Sequence, residues 1–181
     1  MRELSLHILD LIENSTRAEA SVIVVAVEAV PETDTLRIAI EDNGTGLKVS
    51  PDAALNPFYT TKTGKRTGLG LSLFRAAAEA AGGWLTIGKS DLGGVAVVAE
   101  MRLTHIDRTP LGDLATTLSS AVCTHPEIDF KFHLRLGEKR LEWRIFDLAD
   151  ELGVDRGDGL TLAQNLMDKI GVVLQDSDIL R

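Results

Sequence analysis

A chain of 181 residues that is 44% hydrophobic, with 19 basic against 27 acidic side chains and a net charge of −8, has apolar material for a substantial core. The acidic balance opposes attachment to nucleic acid and to the anionic face of a membrane, and the one cysteine, Cys123, excludes an internal disulfide and a cysteine zinc site. A reducing, cytoplasmic setting fits that usage. No stretch reaches membrane-spanning length, and Glu3, Asp10 and Glu13 break the apolar pattern of the N-terminus where a signal peptide would be uncharged.

The first predicted element is a helix, because Leu4, Ile8, Leu11, Ile12 and Ser15 share one side of a 3.6-residue wheel. His7, Asp10, Asn14 and Arg17 form a polar stripe on another side. "SVIVVAVEAV" reads as a buried strand, "PETD" as a turn and "TLRIAIED" as a strand with Leu36, Ile38 and Ile40 inward. A glycine loop, "DNGTGL", follows directly. Residues 48–69, containing "NPFYTTKTGKRTG", are irregular and long enough to read as a functional lid. A second helix opens near Gly70 in "GLGLSLFRAAAEAAGG" and closes at Gly82 and Gly83; "WLTIGKS" and "VAVVAEMRL" then make a hairpin.

A boundary falls near "THIDRTP", dividing the chain into residues 1–104 and a smaller α+β unit, 105–181. In the second part a helical pattern starts at Leu111. "EIDFKFHLRL" and "RLEWRIF" alternate on either side of "GEK" as a hairpin, a short helix runs near 148–152, and "TLAQNLMDKI" forms a helix ended by Gly171. The alternation of "DFKFHLRL" fits a half-buried sheet with one solvated face better than an edge strand offered to a partner. Phe132 and Trp143 are expected in the core, Cys123 as a small buried hydrophobe, and His7 on the helix surface rather than as a ligand.

Two short motifs bear on chemistry. A carboxylate at a strand end, as at Asp42, can accept a hydrogen bond from the exocyclic amine of adenine, and Gly44 and Gly46 let backbone approach a flat ring without a β-carbon in the way. "DNG" is equally a good turn. "TGLGLS" at 67–72 opens a helix whose free amides would suit phosphate oxygens. "GKRTGL" has no lysine and hydroxyl after its second glycine, so it is not a Walker loop.

In order, a helix stripe with Asn14, then "DNGTGL", "NPFYTTK" and "TGLGLS", closely resemble the N, G1, F and G2 boxes of the GHKL superfamily of ATP-binding domains. That superfamily includes histidine-kinase catalytic domains, anti-sigma-factor kinases, MutL, the gyrase B subunit and Hsp90. The resemblance covers roughly residues 3–103. It implies the Bergerat fold, an α+β sandwich with helices on one face of a mixed, mainly antiparallel sheet, here carrying a small C-terminal appendage. "PFYTTK" with "TGLGLS" leans toward the histidine-kinase and anti-sigma branch, and "DLIENSTRAEAS" toward the MutL form of the N box.

By that resemblance ATP is the ligand. Asn14 would hold Mg2+ and Asp42 would read the adenine amine. Gly44 and Gly46 would shape the base pocket. Lys62, Thr67, Gly68, Leu69 and Gly70 would meet the phosphates as the lid closes. Asp10 occupies the position of the glutamate that orients water in hydrolysing members, one methylene shorter, which implies slow turnover or none. Arg17 replaces the aspartate often found in the N box, and "GGVAV" lacks the hydroxyl often present in the last hairpin.

Three functions follow from the resemblance. One is a protein kinase of the histidine-kinase or anti-sigma type. None of His7, His105, His125 or His133 is followed by an acidic residue, so its phosphoacceptor is expected on a partner protein. The others are an ATPase clamp whose output is closure as a homodimer, and a nucleotide-sensing module without catalysis.

Overall fold

In the computed structural model, which describes residues 3–55 and 69–175, the chain builds one six-stranded sheet with helices packed on it. The elements run α1 (Leu4–Arg17), β1 (Val22–Val30), β2 (Thr35–Asp42), α2 (Pro51–Ala54), α3 (Leu69–Ala80), β3 (Trp84–Lys89), β4 (Val95–Arg102), α4 (Leu114–Thr124), β5 (Asp129–Leu136), β6 (Lys139–Arg144), α5 (Ile145–Leu152) and α6 (Gly159–Gln175). The strand order is β3-β4-β2-β1-β5-β6. Only the β1–β5 pair is parallel; the others are antiparallel, β1 meeting β2 from Ile23 opposite Asp42 to Val30 opposite Thr35. This is the mixed, mainly antiparallel sheet of the expected fold class.

Strict alternation makes the sheet one-sided. Ile23, Val25, Val27 and Ala29 of β1 are buried while Val22, Val24, Ala26 and Glu28 are half-exposed, as period-two side-chain placement requires. The buried face meets Leu4, Ile8, Leu11 and Ile12 of α1, Phe74 and Ala78 of α3, Leu114 and Leu118 of α4, and Leu162 and Leu166 of α6 in one apolar core.

Residues 105–175 share this framework. β5 pairs with β1 from Val22 opposite Asp129 to Ala29 opposite Leu136, so its Phe130, Phe132, Leu134 and Leu136 extend the buried face; β5 is an internal strand, and the sheet edge beside it is β6. The connecting segment also ties down the start of α1. Its first amides lack a side-chain cap and donate instead to the carbonyls of Pro110 (Leu4 N, 2.9 Å) and Leu111 (Ser5 N, 2.8 Å). Gly112, at φ +78°, makes that approach possible, since a Cβ there would lie 2.3 Å from Glu3 Oε2. Asp113 then caps α4, accepting from Thr116 N at 2.9 Å.

Several local expectations change. α4 begins at Leu114 rather than Leu111, because Asp113 is its cap. α6 continues through Gly171 to Gln175: the glycine faces open space, and buried Ile170 and Val173 hold the helix to the core on either side. Cys123 is exposed, one position beyond the buried Ala121–Val122 stripe. Trp143 is only partly buried, packed against the core edge. His7 is buried, at 2% exposure, because α3 lies over it and Phe74 stacks on its ring, centroids 4.9 Å apart.

Candidate functional site

The end of β2 and the C-terminal turn of α1 meet at Asp42. The aspartate is 4% exposed, and its carboxylate is held by three donors. Gly44 N (2.9 Å) and Val95 N (3.1 Å) donate to Oδ1, and the Ser15 hydroxyl donates to Oδ2 at 2.6 Å. A carboxylate offers about four acceptor positions. Among the described residues one, on Oδ2, is left for a further donor. An acceptor-only group in that setting selects an N–H, as in an exocyclic amine, and rejects another carbonyl.

Glycines let backbone close on this carboxylate. A Cβ on Gly94 would lie 2.1 Å from Asp42 Oδ1 and 2.6 Å from Gly44 N; one on Gly44 would lie 2.6 Å from the carbonyl oxygen of Ala18. Gly46 holds φ +77°, a conformation glycine takes without penalty. Thr45 N donates to Ala18 O at 2.9 Å, so the glycine turn is fastened to α1. Asn43 anchors its other side, its Oδ1 accepting from Ser21 N and Val22 N at 2.9 Å each. Beside Asp42 a hollow of about 260 Å³ is lined by Gly46, Leu47, Lys89, Gly93 and Gly94.

The polar stripe of α1 runs from this turn toward the start of α3. Asp10 reaches α3 itself: a Cβ on Gly70 would sit 1.8 Å from Asp10 Oδ2, so only glycine permits the contact. Leu69 and Gly70 open α3. Lys62, Thr67 and Gly68 lie outside the described residues. His7, farther back, is not part of the polar surface; burial lowers its pKa to about 4, and among the described residues its Nδ1 has no hydrogen-bond partner.

Asn14 has a neighbour that the stripe pattern alone does not reveal. Its Oδ1 accepts a hydrogen bond from the Arg17 guanidinium, which also pairs with Glu13 at 3.9 Å. Magnesium needs oxygen donors and brings a double positive charge to them. Here the oxygen in question already accepts from a cation, the Arg17 guanidinium. The donors around Asn14 do not fit that ion as they stand.

The structure brings Asp42, Gly44 and Gly46 together with α1, and Asp10 with Gly70, a pairing that sequence reasoning did not make. Sequence reasoning also passed over Ser15, Lys89, Gly94 and the Val95 amide. Ser15 carried a signal, being, with Ser5, one of two hydroxyls on the buried side of α1. Lys89 and Gly94 come from the far hairpin, and only strand pairing sets them beside β2.

The family model described as histidine kinase-, DNA gyrase B-, and HSP90-like ATPase matches residues 2–105. The chain belongs to this family. Among solved structures, the ATP-binding domain of PrrB from Mycobacterium tuberculosis is 24% identical, with 54% of this chain and 64% of that one covered and a TM-score of 0.40. The N-terminal domain of a DNA repair protein is 14% identical over 80% of this chain and 52% of its own, at a TM-score of 0.50. The MutL ATPase domain of Aquifex aeolicus, complexed with ADP, is 14% identical over 86% of this chain and 70% of its own, at 0.46. This chain thus spans 64% of the first of these and 52% of the second. No curated protein matches it. The matched residues hold α1, the glycine turn, α3 and strands β1 to β4, while β5 and β6 lie beyond them. Among the described residues no helix is long and apolar enough to cross a membrane.

Proposed function

We propose that the chain binds ATP along α1, with the adenine amine on Asp42 and the phosphates toward the first turn of α3, and that it acts on a partner protein by phosphorylating or regulating it in signalling. The observation that carries this reading is the unfilled acceptor position on a buried carboxylate beside a glycine-lined hollow. In this arrangement Gly44 and Gly46 border the base. Leu69 and Gly70 present helix-start amides to phosphate oxygens, joined by Lys62, Thr67 and Gly68 on the strength of the sequence resemblance. Asp10, against Gly70, stands where a water or an acceptor hydroxyl attacking the terminal phosphate would be oriented.

That placement of Asp10 also favours a second reading, a slow ATPase whose output is closure. Incubation with ATP labelled on its γ-phosphate separates the two: label on a partner protein supports the kinase reading, released phosphate the ATPase. ATP that stays intact but bound removes both and leaves a nucleotide-sensing module.

A further inference from the structure

The Arg17–Asn14 contact gives the nucleotide reading a specific form. Arg17 sits at the last turn of α1, one residue before Ala18, whose carbonyl holds the glycine turn. One turn back along the helix is Asn14, and one further is Asp10, which touches the start of α3. A nucleotide running from Asp42 to α3 therefore passes the Arg17 guanidinium. That group is half-exposed, and it is tethered to Asn14 Oδ1 and Glu13 rather than locked in the core. A metal ion drawn to Asn14 Oδ1 would have to share that oxygen with, or drive off, an existing positive charge. The guanidinium supplies the same electrostatic service to phosphate without metal. Its planar fork can donate two parallel hydrogen bonds to phosphate oxygens.

On the nucleotide reading given above, we infer that Arg17 takes the place of the divalent cation, so that this chain binds nucleoside di- and triphosphates without magnesium. Glu13 and Asn14 hold the guanidinium in position until phosphate arrives. Asn14 is then a positioning residue for Arg17 rather than a metal ligand.

The test is calorimetric titration of ADP into the full chain, once in excess magnesium chloride and once in excess EDTA. Affinities within about threefold of each other are expected. Arg17→Gln should weaken binding in EDTA by about tenfold or more, with Arg17→Lys intermediate because a lysine lacks the bidentate fork. Arg17→Asp should bind only with magnesium present. Melting curves of the empty variants serve as the folding control, and Arg17→Gln, which keeps a neutral polar side chain at a half-exposed site, remains usable if the aspartate variant does not fold. Wild-type binding that vanishes in EDTA, or an Arg17→Gln protein indistinguishable from wild type there, overturns the inference and leaves the nucleotide site standing. Absence of ADP and ATP binding in both buffers overturns the site itself, and the inference with it.

Discussion

The buried and exposed sides of the C-terminal turn of α1 meet their polar partners in opposite ways. At Asp42 the carboxylate is buried, and two of its three donors are backbone amides locked by strand pairing and a glycine turn. At Asn14 and Arg17 the partners are side chains on the half-open helix surface, free to exchange one counter-charge for another. Fixed amides give the buried side selectivity, because they cannot rearrange to suit a wrong ligand. The exposed side contributes charge, and its identity can change without disturbing the fold.

This contrast orders the expected effects of substitution. Gly94→Ala forces a β-carbon into the Asp42 carboxylate and the Gly44 amide, so it should abolish nucleotide binding and lower stability by about 3 kcal/mol, read by denaturant unfolding and calorimetry. His7 gives the buried part of α1 a pH signature. Its folded pKa lies near 4, below the unfolded 6.5, so the unfolded chain takes up the proton first as pH falls. Stability is complete above about pH 6.5 and drains between there and pH 4, by about 3 kcal/mol in total. His7→Leu should flatten that slope in urea titrations at pH 7 and pH 4.5. Ser15→Ala removes the hydroxyl from a buried charged acceptor and should cost about 2 kcal/mol. Arg17→Gln should leave stability within about 0.5 kcal/mol of wild type, since an exposed helix ion pair contributes little. A large loss there would erase the distinction between the two sides of that turn.

Much of the framework was legible because local pattern and tertiary demand agree in it. The alternation of β2 placed Leu36, Ile38 and Ile40 inward, Phe132 of β5 lies in the core as expected, and the glycines at 44 and 46 marked the turn that lies on α1, whereas β1, read as a buried strand, is buried on one face only. The missing parts are long-range. His7 looked like a surface residue because nothing near it in sequence announces that Phe74 covers it. "DFKFHLRL" carries the same alternation at an edge or inside a sheet, and its parallel pairing with β1 is invisible to a periodicity argument. The Asp42 donors were half-seen: the glycine turn was evident, while Val95 arrives from 53 positions away. At Arg17 the departure from the N-box pattern was visible, but its engagement with Asn14 required the helix geometry.

The central claim is that the Asp42 carboxylate reads an adenine amine, and calorimetric titration of ATP into wild type and Asp42→Asn tests it most directly. The asparagine keeps an oxygen for the Gly44 and Val95 amides, and the Ser15 hydroxyl can turn to accept from its NH2, so the empty variant should melt close to wild type. Its amine would then face the adenine amine, donor against donor, and ATP affinity should fall by roughly 100-fold. An Asp42→Asn protein that is folded and binds ATP within a few-fold of wild type would contradict the claim.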